Sequence, residues 1–295
     1  MKKDDWTGIL IIIGIVVAGL FGGAKNASHK GLFETTNPTP VQKQKDIAVE
    51  IKKAQTQVDD LKKQIQIEED KKTQSQYKNI VSLAYINRSA NPSEEYAVIR
   101  LSSNATTTID ITGWTLKSTN TGNTVVIPQG TYLYFSGSIN DENDIYVTGG
   151  DTIYLITGKT PLGVSFKLNK CSGYLTQFQK FVPYISQNCP APRKEDLSSI
   201  PGIVSNDACL DYIDSFPICR VETKTLPVSW TYECKHFIET KLSYPSCVNI
   251  HKGDSDFYQH EWRVYLKRNQ SLWKFERENI ILYDNVGKIV NILKY

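Results

Sequence analysis

The spacing of apolar residues changes once along this chain, near Ile80, and the change separates two parts that cannot adopt the same secondary structure. Before it, Ile47, Ile51, Ala54, Val58, Leu61 and Ile65 follow alternating steps of four and three, the period of a helix with one apolar seam. After it, Val81, Leu83 and Tyr85 alternate with smaller or polar residues, and Ala97, Ile99 and Leu101 do the same. A two-residue period belongs to strands with one buried face. Further short candidates lie at 108–111, 114–117, 124–127, 131–135, 145–148 and 152–156, separated by Asn, Gly, Pro and Ser. Many short strands without long intervening helices imply an antiparallel sandwich or barrel, so the fold class is mainly β.

The helical part assigns Ile51, Val58 and Ile65 to heptad position a, and Ile47, Ala54 and Leu61 to d. β-branched residues at a favour a parallel dimer, and the expectation is a short coiled-coil stalk over residues 42–78 that makes the protein a homo-oligomer. Glu68 and Lys72 occupy the next core positions and limit the seam to about three heptads. The alternative is a lone solvated helix of marginal independent stability.

Upstream, residues 6–24 contain no charged side chain. As a helix this run is ~28 Å long, enough to cross a hydrocarbon core. It reads as an uncleaved signal anchor with Trp6 at the interface. A cleaved signal peptide is the alternative, since Lys2 and Lys3 precede the run and Gly22, Gly23 and Ala24 end it. The charges flanking the run do not set its orientation.

The cysteines do. Cys171, Cys189, Cys209, Cys219, Cys234 and Cys247 all fall in one window, without a pair spaced two residues apart. Structural zinc sites usually draw two ligands from one tight turn, whereas disulfides tolerate longer gaps. Disulfides are therefore expected, in an oxidising place, with residues 1–5 cytoplasmic and the bulk outside. Six cysteines permit 15 pairings; joining neighbours (Cys171 with Cys189, Cys209 with Cys219, Cys234 with Cys247) is the simplest. Helix-compatible stretches in the window are 174–185, 207–214 and 232–242.

The 295-residue chain carries 34 basic and 31 acidic residues, a net charge of +3. That balance supplies no strong general attraction to nucleic acid, though a local basic patch is compatible with it. No nucleophile elbow, phosphate loop, zinc-protease helix or dinucleotide fingerprint occurs, and no cofactor is implied. One polar cluster has the composition of a divalent-ion site, His251, Asp254 and Asp256 with His260 nearby; a solvated loop has the same composition. Tyr132, Tyr134, Tyr146 and Tyr154 lie on candidate strands, where exposed rings would suit a protein or glycan ligand.

Four patches carry a family resemblance. Ile111-Thr112-Gly113-Trp114-Thr115-Leu116 resembles the Gly-Trp-Thr-Leu signature of lamin-tail domains. Glu95-Tyr96-Ala97-Val98-Ile99-Arg100-Leu101 is similar to their second strand, Ile127-Pro128-Gln129-Gly130-Thr131-Tyr132-Leu133 to a strand-turn-strand, and Gly150-Asp151-Thr152-Ile153-Tyr154-Leu155 to a late strand. The resemblance implies an immunoglobulin-like sandwich with Gly113 at a turn and Trp114 as a core anchor. It also implies broad ligands: protein, nucleic-acid and membrane contacts, with bacterial relatives in exported proteins and beside nuclease modules. This chain departs from the pattern by running on after Phe166. A hairpin at 280–290 resembles the family's closing hairpin.

The expected organisation is an anchor (6–24), a linker (25–41), the stalk (42–78), the sandwich (79–169), a partly helical cysteine-rich insertion (170–260) and a hairpin (261–295) that completes the sandwich. A second small domain beside a finished first one is the competing layout. The expected function is non-catalytic: an extracytoplasmic, single-pass membrane protein that binds or scaffolds. The alternatives are a cell-envelope enzyme or DNA-handling accessory with a site around His251, Asp254, Asp256 and His260, and a purely structural envelope component.

Overall fold

In the computed structural model, which describes residues 40–195, 197, 203 and 206–295, the heptad segment is one helix, α1, Pro40–Thr73. Ile51 is 64% exposed, and Ile47, Val58, Leu61 and Ile65 are exposed beside it, because a single helix offers its seam nothing to pack on. Two compact units divide at Lys63, within this helix; Gln64–Tyr295 contains every strand among the described residues. Residues 74–78, expected to continue the stalk, leave the helix. Gln74 bridges Ile289, and the Ser75 amide donates to the Ile289 carbonyl at 2.8 Å, so these backbone groups are satisfied by a strand instead of a further turn. Among the described residues no helix is long and apolar enough to cross a membrane; the expected anchor at 6–24 lies outside them.

The strands are β1 (Val81–Asn87), β2 (Tyr96–Leu101), β3 (Ile109–Asp110), β4 (Thr115–Ser118), β5 (Thr124–Val126), β6 (Tyr146–Val147), β7 (Thr152–Ile156), β8 (Phe166–Asn169), β9 (Tyr258–Tyr265), β10 (Asn279–Tyr283) and β11 (Ile289–Lys294). They form a five-stranded sheet in the order β1-β2-β7-β9-β8, a four-stranded sheet β11-β10-β4-β5 and the short pair β3-β6. Strands from both sides of the cysteine window therefore share sheets. β9 pairs in parallel with β7, and β10 pairs antiparallel with β4.

Both larger sheets feed one apolar core. Ile99, Ile153 and Trp262 come from the five-stranded sheet, Leu116, Leu282 and Val290 from the four-stranded one, and Trp114 lies fully buried with them. Gly113 has φ +78°, a left-handed turn that a side chain would strain. It lets the chain reverse so that Trp114 turns inward immediately before β4. Residues 131–135 form no strand. Gly130 exchanges hydrogen bonds with Asn143, while Thr131 bridges Phe166, and a segment that changes partners at successive residues cannot build a ladder.

The five-stranded sheet is covered on its other face as well. Phe166, Leu168 and Tyr265 meet Phe181 and Ile185 of the cysteine window there. This explains why β9 ends in four consecutive buried residues, a pattern strict alternation does not anticipate. Arg263 lies on this covered side and is 2% exposed; it donates to the Pro183 carbonyl at 2.6 Å and the Tyr184 carbonyl at 3.1 Å, pairs with Glu261, and stacks over Tyr154. A buried guanidinium with that many partners pins the returning segment to the sheet.

Within the window the helices are α2 (Asp207–Ser215), α3 (Tyr232–Lys241) and α4 (Tyr244–His251). Asn206, Thr231 and Ser243 cap them, each accepting a hydrogen bond from an amide of the first turn. The expected helix at 174–185 is replaced by a 3-10 turn, Ser172–Thr176, followed by irregular chain, because Pro183 can neither donate within a helix nor leave its predecessor helical.

Candidate functional site

All six cysteines are paired: Cys171 with Cys247, Cys189 with Cys219, and Cys209 with Cys234. Pairing of neighbours does not occur. Cys209 and Cys234 each sit in the capped first turn of a helix, and their bond is buried in one apolar cluster with Ile213, Phe237 and Ile238. The chain turns after α2 and carries Cys219, at φ +56°, to Cys189. That second bond is packed against Gly173: a Cβ there would collide with Cys219 Sγ and lie 2.9 Å from Cys189 Sγ.

The expected polar cluster is split. Lys170 Nζ lies 2.8 Å from Asp254 and 2.5 Å from Asp256, so an ammonium group already stands where a divalent ion would have to sit between these carboxylates. His251 hydrogen-bonds Asp254 through Nδ1 at 2.9 Å and Glu195 through Nε2 at 3.1 Å. His260 belongs elsewhere: its Nδ1 is 2.7 Å from Asp151, a fully buried carboxylate that also accepts from the Thr148 amide. Among the described residues no group of three or more His, Cys, Asp or Glu side chains could hold a metal. The partners Lys170, Glu195 and Asp151 were not legible as such, since they lie 56 to 109 residues from the groups they bind.

Burial opposes protonation of His251, but its hydrogen bonds to Glu195 and Asp254 outweigh burial and hold its pKa above the usual histidine value. A histidine raised in the folded state stabilises it fully at pH below the unfolded value, and that contribution disappears as pH rises through the folded value. The urea midpoint should therefore fall in the wild type as pH rises from the ordinary histidine value, about 6.5, through the higher folded one, and His251→Gln should flatten that part of the profile. An identical slope in the variant would refute the assignment.

A second site is built where the window meets the sandwich. A cavity of about 210 Å³ is lined by Tyr134, Ser136, Tyr174, Phe178, Gln179 and Tyr244, among others. Tyr134 lies in the irregular chain just after the Thr131–Phe166 bridge, Tyr174 follows Cys171 in the 3-10 turn, and Tyr244 opens α4, which the Cys171–Cys247 bond ties to that turn. The Tyr244 hydroxyl donates to the Tyr134 carbonyl at 3.0 Å, and the two rings lie 5.9 Å apart. Burial pushes the Tyr174 and Tyr244 phenols up to about 12, so both remain protonated donors at neutral pH. Phe178 stands at the rim, 71% exposed. Of the tyrosines singled out by sequence, only Tyr134 joins this cavity. Tyr132 packs edge-on against Trp262, Tyr154 lies beneath Arg263, and Tyr146 is exposed.

The chain matches no family model and no curated protein. The fold and its bonds define a disulfide-braced, mainly β protein with a polar helix whose apolar seam is exposed, and three closed disulfides fit an oxidising extracytoplasmic compartment.

Proposed function

We propose that the protein is a single-pass, membrane-anchored binding or scaffolding module, non-catalytic, that presents a lamin-tail-like, immunoglobulin-like sandwich outside the cytoplasm on a self-associating stalk. The observation that carries this reading is the pairing of a disulfide-braced head with a helix whose heptad residues Ile47, Ile51, Val58, Leu61 and Ile65 are all exposed. An uncovered seam of this kind calls for a second copy, and tethering to a membrane raises the local concentration that pairing needs. The lamin-tail likeness is supported by the position of its patches: the Gly113–Trp114 turn leads into β4, the Glu95 patch forms β2, the Asp151 patch forms β7, and the closing hairpin forms β10 and β11 beside β4. Lys170 between Asp254 and Asp256 favours binding over catalysis, because it neutralises the carboxylates an acid–base or metal mechanism would use.

The test is the mass of the full chain in mild detergent by light scattering, together with protease accessibility on intact cells. A dimer is expected, and Ile51→Asp with Val58→Asp should halve its mass while leaving the head's disulfides intact. A monomeric wild type, or a head that protease reaches only after lysis, would sink the proposal.

A further inference from the structure

We propose that the cavity between Tyr134, Tyr174, Phe178 and Tyr244 binds one ring of a neutral pyranose sugar. The inference deepens the binding-module reading and rests on it. The lining contains no charged side chain, whereas four other surface cavities among the described residues each carry several: Lys159 with Lys180, Arg277 with Lys294, Lys71 with Lys288, and Arg193 with Lys194. A charged ligand entering this one would lose its hydration with no counter-charge to replace it. A neutral, hydroxyl-rich ring also sheds water, but hydrogen bonds from uncharged protein groups can replace what it loses.

The groups present are those such a ring requires. A pyranose has faces of C–H bonds and an equator of hydroxyls. Phe178, exposed at the rim, offers an aromatic face of negative potential to C–H groups, and its exposure has no packing explanation within the protein. Among the described residues the Ser136 hydroxyl, the Gln179 amide and the Tyr134 hydroxyl make no hydrogen bond of their own, which leaves donors and acceptors for the equator. The volume, about 210 Å³, falls below that of a drug-sized ligand's pocket, which starts at roughly 300 Å³. One ring fits, with the rest of a chain outside. The walls are held in advance of binding by the Cys171–Cys247 bond and by the Tyr244–Tyr134 hydrogen bond, so little ordering remains to be done when a ligand arrives.

The experiment is saturation-transfer NMR on the full chain, held in a detergent without a sugar headgroup. The probes are methyl α-glucopyranoside, methyl β-galactopyranoside, methyl α-mannopyranoside and methyl N-acetyl-β-glucosaminide, with methyl β-glucuronide as the anionic probe. Transfer to the ring protons of at least one neutral glycoside is expected, and none to the glucuronide. Phe178→Ala should weaken the response about tenfold, and Gln179→Ala should weaken it as well; both positions are exposed at the rim, and an unchanged disulfide map verifies the fold of each variant. Silence from all four neutral probes, equal transfer from the glucuronide, or an undiminished response in both variants would overturn the proposal. Light scattering on the same sample separates the two readings. A dimer that ignores sugars rejects the cavity assignment alone, and a monomer that binds them rejects the stalked-module reading while the cavity assignment stands.

Discussion

Trp114→Ala should lower the unfolding free energy by about 3–5 kcal/mol, the range for deleting a fully buried tryptophan from a core. The ring has no exposed surface and packs where the two large sheets meet, among Leu116, Ile127 and Leu282, with Tyr77 at 5.3 Å between ring centroids. Its indole N–H has no hydrogen-bond partner, so the loss is one of packing, not of a polar contact. The neighbours cannot close the gap, because the Trp114 carbonyl accepts the Ile127 amide at 2.8 Å and holds the backbone on either side. Urea titration followed by far-ultraviolet circular dichroism measures the change. Val286→Ala, in the exposed turn of the closing hairpin, should stay within about 0.5 kcal/mol. A Trp114→Ala variant as stable as the Val286 control would mean that the two sheets do not share this core.

Replacing Cys171 and Cys247 together by serine should cost about 4–5 kcal/mol, more than removal of either other disulfide, which should cost nearer ~3.5 kcal/mol by the same loop-entropy relation. The difference follows from sequence separation: 76 residues for Cys171–Cys247 against 30 and 25 for the others. Location adds to it. Cys171 follows β8 and Cys247 lies in α4, just before β9, so this bond closes the insertion at its neck and encloses the other two. The double variant should unfold at lower urea than the Cys189/Cys219 and Cys209/Cys234 variants, and limited proteolysis should cut first between residues 172 and 246. The reverse order of stabilities would show that the small helical core around Cys209–Cys234, not the neck, holds the insertion.

Much of the sandwich was legible because its signals are local. The alternation at Val81–Asn87 and Tyr96–Leu101, the polar turn around Gly287 and the capped helices α2 and α3 need no knowledge of distant partners. Helix α4 carries a local signal as well, Ser243 as a cap followed by Pro245 in the first turn, yet it lies beyond the last helix-compatible stretch, 232–242. The 131–135 segment misled because its alternation is strand-like, while Gly130 just before it bonds Asn143 and the Thr131 backbone turns instead to Ser165 and Lys167. The site was harder. His251, Asp254 and Asp256 do cluster, but the residue that decides their chemistry, Lys170, is 84 residues away from Asp254. Tyr174, Phe178 and Tyr244 come together only through a disulfide whose partners no spacing rule selects.

The parallel pairing of β7 with β9, and the antiparallel pairing of β4 with β10 in the other sheet, have a temporal side. As the chain emerges from its N-terminus, β4 and β7 each wait with an unmatched edge while the whole cysteine window is made. Neither large sheet closes until the final forty or so residues arrive. The head is thus completed by its C-terminal strands: β9 enters between β7 and β8, and β10 between β4 and β11, so both sheets are still open while the cysteine window is being made.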